Sequence, residues 1–185
     1  MQRLNLSTPR VLLRRFQLED FEDLYEYLSD EEVVRYEPYP PYTREQCRLE
    51  AVRRSKNNEF LAVCLRESGK LIGNLYFSKR DYGTWELGYV FHRHYHGFGY
   101  ATEAARALLD YGFREENVRR VVASCNPEND ASWKLLERLH MRREGHELKN
   151  IYFKTDSDGK PLWQDSYHYA ILAEEWQQGT PAQGR

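Results

Sequence analysis

The sequence predicts an α/β fold in which one mixed, mostly antiparallel sheet carries helices on both faces. Apolar residues change repeatedly between the alternating spacing of strands and the three-to-four spacing of helices. The predicted order is β-α-α-β-β-β-α-β-α-β-β, which is not the regular alternation of a parallel sheet. Near the middle of the chain, a glycine turn links a strand directly to a helix. These three observations favour a mixed sheet over a doubly wound parallel one.

The composition indicates a single soluble domain covering residues 1–185. Hydrophobic residues make up 41% and charged residues 30%, a balance typical of globular proteins with a sizeable core. The formal net charge is −2 and no long single-sign run occurs, so no nucleic-acid partner is expected. No apolar run approaches a membrane span, and the first ten residues lack the apolar core of a signal peptide. Residues 177–185 are polar and contain Pro and Gly, so we expect a loose tail there.

The three cysteines, Cys47, Cys64 and Cys125, are odd in number and widely spaced. They match neither a disulfide framework nor a metal-binding pattern. We therefore expect a reducing, cytoplasmic location. Cys125 could in principle act as a nucleophile, but no supporting His-Asp arrangement is visible in the sequence.

The N-terminal part of the chain is predicted to contain three strands and two helices. Asp20 is placed to cap the first helix, whose apolar face begins at Phe21. Thr43 and Gln46 have the spacing of a capping box at the start of the second helix, which should end near Asn57. The strands are Val11–Phe16, Phe60–Arg66 and Leu71–Phe77, the last two forming a hairpin.

An aromatic, proline-rich loop, Val33–Tyr42, separates the two helices. Its prolines prevent a regular helix, because proline lacks a backbone donor and clashes with the preceding turn. Tyr36, Tyr39 and Tyr42 give the loop an unusual density of tyrosine. The residues alone allow either packing or ligand contact for these rings.

The centre of the chain reads as strand, turn and helix in that order. Trp85–His92 is rich in aromatic and β-branched residues, Arg93–Gly99 is polar with two glycines, and helical spacing begins at Ala101. Glycine lets backbone approach a ligand closely, and a helix N-terminus has free N–H groups and a positive dipole end. This turn is therefore suited to a phosphate or pyrophosphate.

The C-terminal part is predicted to contain one more helix and the closing strands. Asn129 or Asp130 can cap the helix, with Ser132 in its first turn. The hairpin tip is expected at Asp156–Gly159. The remaining elements are a strand at Arg119–Cys125, a helix from Asp130 to Leu139, a strand region from Met141 and a closing strand at Tyr167–Leu172.

Two familiar phosphate-binding motifs fit the glycine turn poorly. A P-loop needs Lys-Ser/Thr after its last glycine, whereas Tyr100-Ala101 follows here. A dinucleotide fingerprint needs a third small residue where Thr102 stands and an acid about twenty residues later, where Val121 and Val122 occur.

The turn does resemble the acyl-CoA pyrophosphate loop of the GNAT N-acetyltransferases. That loop follows Gln/Arg-x-x-Gly-x-Gly/Ala and opens a helix that often begins Tyr-Ala-Thr-Glu-Ala. This chain reads His94-Tyr95-His96-Gly97-Phe98-Gly99, then Tyr100-Ala101-Thr102-Glu103-Ala104, with His94 where Gln or Arg is usual. The resemblance covers about Pro9 to Trp176. Arg10–Arg14 and Asn129–Ser132 look most similar to the ribosomal-protein N-acetyltransferases.

This resemblance implies a GNAT-type sheet splayed in its middle, and acetyl-CoA as co-substrate. Backbone groups of the strand before the turn would contact the pantetheine and the acetyl carbonyl, although these residues can also be ordinary sheet residues. An Asn-x-x-Ser at the helix after the Arg119 strand would also contact CoA. The implied cofactor-binding residues are Val90, Phe91, His92, Gly97, Phe98, Gly99, Tyr100, Ala101, Thr102, Asn129 and Ser132.

The resemblance also implies catalytic and acceptor-binding residues. Glu86 matches a strand glutamate that serves as general base, and its alternative role is a solvated glutamate on the polar face of the strand. Ser132 would donate a proton to the thiolate. Many relatives use a tyrosine farther along this helix for that purpose, and Leu135–His140 contains none, which favours Ser132. The acceptor would contact Tyr36, Tyr39 and Asn126, with packing as the alternative for the tyrosines.

Three histidines raise the possibility of a metal site. His92, His94 and His96 would share one face of an extended segment, and imidazoles are common zinc ligands. The turn at Gly97 breaks the alternation, and no acidic or cysteine ligand joins them, so no metal is expected.

The function implied is transfer of an acetyl group from acetyl-CoA to a primary amine by direct attack on the thioester. The acceptor could be a protein N-terminus or a small-molecule amine, and the protein could act as a monomer or homodimer. A non-catalytic acyl-CoA-binding sensor or subunit on the same fold is the alternative.

Overall fold

The computed structural model describes residues 4–179, which form a mixed α/β fold as predicted. The strands are β1 (Leu6–Ser7), β2 (Val11–Arg14), β3 (Phe60–Leu65), β4 (Leu71–Lys79), β5 (Thr84–Phe91), β6 (Arg120–Cys125), β7 (Arg142–Thr155) and β8 (Pro161–Leu172). The helices are α1 (Phe21–Leu28), α2 (Arg44–Lys56), α3 (Tyr100–Glu115), α4 (Asp130–Arg138) and α5 (Ala173–Gly179). Within these described residues, no helix is both long and apolar enough to cross a membrane.

In residues 4–179 the sheet has eight strands in the order β1-β2-β3-β4-β5-β6-β8-β7. The β1–β2, β2–β3, β3–β4, β6–β8 and β7–β8 pairs are antiparallel, whereas β5 and β6 are parallel. The β5–β6 ladder joins Thr84–Glu86 to Arg120–Val122, and both strands continue beyond it. The mixed, mostly antiparallel sheet and its opening in the middle are thereby confirmed.

The chain divides into two compact units. The first comprises the chain up to Ser78 together with Gly88–Leu108, and the second comprises Lys79–Leu87 with the chain from Leu109 onward. The expectation of a single domain stays a prediction. The expected tail begins inside α5, which continues to Gly179, and residues 180–185 lie outside the described part of the chain.

The core of the first unit lies among α1, α2 and the strands β3 and β4. Its buried side chains are Phe16, Leu24, Tyr27, Leu28, Val34, Cys47, Ala51, Ala62, Cys64, Leu71 and Val90. The capping box at α2 is confirmed: Thr43 Oγ1 accepts from the Gln46 N–H at 3.2 Å, and the Gln46 Oε1 accepts from the Thr43 N–H at 2.7 Å. These contacts satisfy two donors that the helix end would otherwise leave open.

Asp20 is the N-cap residue of α1, as predicted, but its side chain makes no capping hydrogen bond to the helix. Its carboxylate accepts from both terminal nitrogens of Arg14, at 2.8 and 2.7 Å, and from the Gln17 N–H at 2.8 Å. Because a bidentate, charge-assisted pair is stronger than a neutral cap, the carboxylate turns toward Arg14. It then stabilises the short 3₁₀ turn Leu18–Asp20 that precedes the helix.

Arg54 brings a positive charge into the core of the first unit, where it is only 3% exposed. Its Nε donates to Glu50 at 2.6 Å, and its Nη1 donates to the Asn74 side-chain oxygen at 2.8 Å. The Tyr27 hydroxyl donates to the same Asn74 oxygen at 2.9 Å, and the guanidinium lies over the ring of Phe60. The charge is tolerated because it is paired and hydrogen-bonded.

Gly73 of β4 allows close packing of the end of β5. A Cβ at Gly73 would lie 2.5 Å from Phe91 Cδ1 and 2.7 Å from the Val90 carbonyl oxygen. We expect Gly73→Ala to lower the free energy of unfolding by about 1–3 kcal/mol, as overpacking usually does. Urea denaturation measures the change.

Gly88→Ala is the matched control, because its Cβ would lie 3.4 Å from the Tyr76 Cβ, an ordinary contact. It should leave stability nearly unchanged, since alanine also reduces the entropy of the unfolded chain. Equal losses in both variants would contradict the packing argument.

Candidate active site

The glycine turn has a backbone that side chains rarely allow. Gly97 and Gly99 have φ of 82° and 81°, in the left-handed region that favours glycine. Helix α3 begins at Tyr100, and its first hydrogen bond runs from the Glu103 N–H to the Gly99 carbonyl at 3.0 Å. The turn therefore leads directly into a helix N-terminus, where N–H donors have no intrahelical acceptor. This arrangement suits an anion.

Glu103 and Arg10 hold this turn in place. The Glu103 carboxylate accepts from the Arg10 Nε at 2.6 Å, the Arg10 N–H at 2.9 Å and the Thr8 hydroxyl at 2.6 Å. Arg10 also donates from Nη1 to the Phe98 carbonyl at 2.9 Å and lies over the Tyr100 ring. Burial acts to raise the pKa of Glu103, but the hydrogen bonds from Thr8 and Arg10 outweigh it and lower that pKa. Sequence reasoning assigned no role to this contact, which joins residues 93 positions apart.

The other expected cofactor residues of the turn differ in exposure. Phe98 is 61% exposed, and its ring lies 6.1 Å from that of Tyr100. Ala101 and Thr102 form the first turn of α3 and are half-buried. The ring of Phe98 is thus the most accessible apolar group of the turn.

The histidines at the end of β5 have local structural roles. His92 is buried, its N–H donates to the Ile72 carbonyl at 2.9 Å, and its Nδ1 accepts from the His94 N–H at 3.2 Å. His96 Nε2 lies 2.9 Å from the Phe91 carbonyl oxygen. Burial is the main cause that lowers the pKa of His92. Among residues 4–179, no group of three or more His, Cys, Asp or Glu side chains could hold a metal ion.

The backbone expected to contact pantetheine is partly engaged. The His92 N–H is used by Ile72, and the His92 carbonyl accepts from the Tyr95 N–H at 3.0 Å. Val90 and Phe91 are buried at 8% and 7% exposure, and Gly73 packs against them. The Phe91 carbonyl is also engaged, because His96 Nε2 lies 2.9 Å from it.

Glu86 lies on β5 in the second unit and is held by an arginine. Its Oε2 accepts from the Arg80 Nε at 2.9 Å and also from Arg80 Nη2. The carboxylate is 34% exposed, so it is neither a core residue nor fully solvated. The sequence indicated the glutamate but not its partner, which lies six residues earlier, before the turn that leads into β5.

Asn129 and Ser132 form the start of α4, where one of the two alternative caps is confirmed. The Asn129 side-chain oxygen accepts from the Ser132 N–H at 3.2 Å, so Asn129 rather than Asp130 is the N-cap. The Ser132 hydroxyl hydrogen-bonds the Cys125 thiol, which lowers the pKa of the thiol. Burial is the larger effect and raises the pKa of Cys125 to about 11. A thiol that is protonated at neutral pH is a poor nucleophile, which disfavours covalent catalysis by Cys125.

The expected acceptor residues have partners within their own units. In the second unit, the Asn126 amide donates to Gln164 Oε1 at 3.0 Å. In the first, Tyr39 and Tyr42 pack against the core cluster with ring centroids 5.0 Å apart, which favours a packing role for both. Tyr36 is half-buried beneath the guanidinium of Arg35.

Glu37 is a titratable residue of this loop that the sequence analysis did not single out. Its flanking residues, Tyr36 and Pro38, were a signal, because a carboxylate in an aromatic stretch is poorly solvated. Burial raises the pKa of Glu37 to about 7, although a hydrogen bond with Tyr39 and the charge of Arg54 act in the opposite direction. A carboxylate that titrates near neutral pH is a candidate proton acceptor.

Comparison with known proteins agrees with this geometry. The family model described as an acetyltransferase (GNAT) domain matches residues 10–142. The uncharacterized N-acetyltransferase YnaD of Bacillus subtilis is 41% identical over 177 residues, which span 94% of this chain and 99% of that protein. The [ribosomal protein uS5]-alanine N-acetyltransferase of Escherichia coli is 25% identical and covers 96% of this chain and 95% of its own length.

Solved structures give the same result. A GNAT-family acetyltransferase from Bacillus anthracis superposes with a TM-score of 0.85 at 38% identity, covering 93% of this chain and all of that one (100%). Spermidine N-acetyltransferase from Vibrio cholerae, solved with CoA and spermine, has a TM-score of 0.76 at 18% identity and covers 92% of this chain and 99% of its own. At that identity the second likeness shows the fold alone. The matches define an acyltransferase, and the chain belongs to the GNAT acetyltransferase family.

Replacing Glu37 by glutamine should stabilise the protein above neutral pH. A carboxylate with a raised native pKa binds its proton more tightly in the folded state, so its contribution to stability is present at low pH and is lost as pH rises through about 7. We expect Glu37→Gln to gain on the order of 2 kcal/mol at pH 8 and little at pH 4.

Thermal unfolding at both pH values measures this difference. Glu45→Gln is the control, because Glu45 is an exposed residue of α2. A Glu37→Gln protein with the same stability difference from wild type at pH 4 and pH 8 would contradict the shifted titration.

Proposed function

We propose that the protein transfers an acetyl group from acetyl-CoA to a primary amine by direct attack on the thioester. The observation that supports this most is the glycine turn, with two left-handed glycines at the start of α3 and a braced position beside Arg10. Family membership supports the same donor, because GNAT enzymes use acetyl-CoA.

The residues of the turn fit a pyrophosphate. A Cβ at Gly99 would stand 3.4 Å from Arg10 Nη2, so only glycine leaves the space between backbone and guanidinium open. Arg10 is 49% exposed. It supplies a positive charge beside the turn, where this chain has His94 in place of the Gln or Arg of the family pattern. Backbone N–H groups from Gly97 to Thr102 would hold the phosphates. Val90 and Phe91 would contact the pantetheine through their backbone, and Asn129 and Ser132 would contact CoA.

The chemistry needs a proton acceptor for the amine and a proton donor for the leaving thiolate. We assign Glu86 as acceptor, since it is a partly exposed carboxylate on β5. We assign Ser132 as donor, because its hydroxyl already hydrogen-bonds a thiol, that of Cys125. Tyr36, Tyr39 and Asn126 are proposed to contact the acceptor.

Two kinds of amine are candidates for the acceptor, an α-amine and a lysine-like amine. One relative is named for acetylating the alanine terminus of a ribosomal protein, and one structural neighbour is named for spermidine. An α-amine has a pKa near 7.7–8.0 and is roughly a tenth neutral at pH 7, whereas a lysine-like amine near 10.4 is almost entirely protonated. The second class therefore depends more heavily on a base.

The decisive experiment is release of free CoA thiol with a panel of amines. The panel should include an alanine-initiated peptide, a lysine-containing peptide with a blocked N-terminus, spermidine and free amino acids. Amine-dependent thiol release with a matching acetylated product supports the proposal. Acetyl-CoA binding by calorimetry without turnover of any amine would favour the non-catalytic alternative.

Gly99→Val should strongly weaken binding of acetyl-CoA. A β-branched side chain is strained at positive φ and would fill the space beside Arg10 where the pyrophosphate is proposed to lie. Gly159→Val is the matched control, because Gly159 has a φ of 76° and open space around its Cβ position, at a hairpin tip.

Both variants should lose comparable stability, about 1–3 kcal/mol. Only Gly99→Val should weaken CoA binding, by at least 100-fold in calorimetry. Equal CoA affinity in the two folded variants would refute the placement of the pyrophosphate.

Glu86→Gln should lower turnover at neutral pH and recover as pH rises toward the pKa of the acceptor amine. The substitution keeps the shape and removes the charge, so the amine must lose its proton to solvent. Recovery by about pH 8 would indicate an α-amine, and recovery only well above it a lysine-like amine.

Glu144→Gln is the control, since Glu144 is also a strand glutamate paired with arginines, Arg120 and Arg142. Its pH–rate profile should match wild type. An unchanged profile in Glu86→Gln would remove Glu86 from the role of base.

A further inference from the structure

Three polar side chains in the second unit form a row that the proposed chemistry has not used. Ser124 Oγ on β6 lies 2.9 Å from His168 Nδ1 on β8. His168 Nε2 lies 3.3 Å from Glu147 Oε2 on β7. The row thus joins an alcohol, an imidazole and a carboxylate on three strands, in the order in which acid–base relays are built.

We propose that Ser124, His168 and Glu147 form a proton relay that accepts the proton of the acceptor amine, as a second route beside Glu86. The proposal rests on the amine-acetylating function proposed above. It assigns substrate contact to Ser124 and positioning roles to His168 and Glu147.

Strand register places the row on the face of the sheet that carries Glu86. Glu86 pairs with Val122, and Val122 pairs with Ala170. Ser124 pairs with His168 two residues further along the same strands. Because alternate residues of a strand share a face and paired residues lie side by side, Ser124 and His168 lie on that face, about 7 Å along the strands.

Exposure differs along the row in the way a relay requires. Ser124 is exposed, whereas His168 Nε2 is shielded from solvent and has no aligned hydrogen bond in the described part of the chain. Glu147 Oε2 is held from the other side by the Asn150 amide at 2.8 Å. A substrate can therefore contact the Ser124 hydroxyl, and a proton from the substrate would pass through that hydroxyl to the His168 imidazole.

The charges around the imidazole fix its tautomer. A carboxylate only accepts, so Glu147 favours the proton on His168 Nε2 and leaves Nδ1 to accept from the Ser124 hydroxyl. From β7, Gly145 faces the ring, and a Cβ there would lie 3.8 Å from His168 Cδ2. From β6, the facing group is Ser124 itself.

The proton transfer balances without another reactant. The ammonium of the acceptor gives one proton to Ser124 Oγ as the Ser124 O–H proton moves to His168 Nδ1. The imidazole becomes an imidazolium that already carries its Nε2 proton, and the Glu147 carboxylate stabilises it. The neutral amine is then free to attack the thioester, and the relay resets by losing the proton to water.

A relay is useful here because Glu86 is engaged by Arg80. The Glu86 Oε2 atom already accepts from Arg80, so the amine would have to compete with the arginine for that oxygen. A second acceptor on the same face would share that task, whichever amine is bound.

Mutants of the row give the main test, with the alanine-initiated peptide and spermidine as probes. Ser124→Ala and His168→Asn should each lower kcat by roughly 2- to 10-fold while calorimetric CoA affinity stays at the wild-type value, because Glu86 still serves as the other acceptor. The full general-base effect, typically 10²–10⁴, should appear only when both acceptors are removed. Ser124→Thr, which restores a hydroxyl, should recover most of the turnover. Ser166→Ala is the control, because Ser166 lies two residues before His168 on β8 and should leave turnover unchanged.

Double mutants separate a relay from independent structural damage. Ser124→Ala/His168→Asn should be no slower than the worse single variant, because both residues act in one route. Glu86→Gln/His168→Asn should lose more than the product of the two single effects, because each single variant still uses the other acceptor. Wild-type turnover in both Ser124→Ala and His168→Asn, or multiplicative loss within the row, would overturn the relay.

A spectroscopic test does not depend on acetylation. Nitrogen NMR of the histidine side chains should show His168 protonated at Nε2 and accepting at Nδ1, and Glu147→Gln should change the Nε2–H signal. A proton on Nδ1 instead would overturn the relay even in an active enzyme. If the wild type acetylates no amine, the proposed function fails, and the NMR result still decides the tautomer on which the relay depends.

Discussion

The proposed donor site depends on one constraint, the left-handed backbone at Gly97 and Gly99 held against the side chains of Thr8 and Arg10. A loop with two residues at positive φ has no intrinsic reason to keep one shape, because glycine is the most flexible residue. The Glu103 carboxylate supplies that reason: it accepts three hydrogen bonds from a segment far away in sequence. The turn is therefore preorganised for its ligand by a contact between the first turn of α3 and the start of β2, at no cost to the backbone groups that would face a phosphate.

The sequence predicted best those elements whose signals are local. The capping box at Thr43, the hairpin tip at Asp156 and the strand–turn–helix order around Gly97 each depend on residues within a few positions of one another. Two elements were missed because their stability comes from distant partners. Strand β1 has two residues and exists through its pairing with β2. Helix α5 was not predicted, and its Trp176 indole donates to Asp110 at 2.8 Å, a contact that no local pattern indicates.

Candidate site residues show the same division. Gly97 and Gly99 could be found from spacing alone, and Asn129 could be narrowed to one of two caps, because these roles are set by backbone conformation and helix capping. The residues that pair with the titratable groups could not be found in this way. Arg80 beside Glu86 and Tyr39 beside Glu37 depend on how loops fold back, and the row of Ser124, His168 and Glu147 exists only through strand register. Charge pairing and acid–base roles are thus the features of the candidate site that are hardest to predict from the sequence.

The environment of Ser132 supports its proposed role as proton donor. The Cys125 thiol beside it has its pKa raised to about 11 by burial, even though the Ser132 hydroxyl stabilises the thiolate. The buried environment of Cys125 thus favours a neutral thiol over an anionic thiolate. A leaving thiolate that forms in a similarly apolar setting meets the same penalty, about 1.4 kcal/mol for each unit of pKa. A hydroxyl that donates to sulfur reduces that penalty where it arises, in the transition state, and so raises turnover rather than affinity. The same burial that disqualifies Cys125 as a nucleophile therefore gives Ser132 its proposed role.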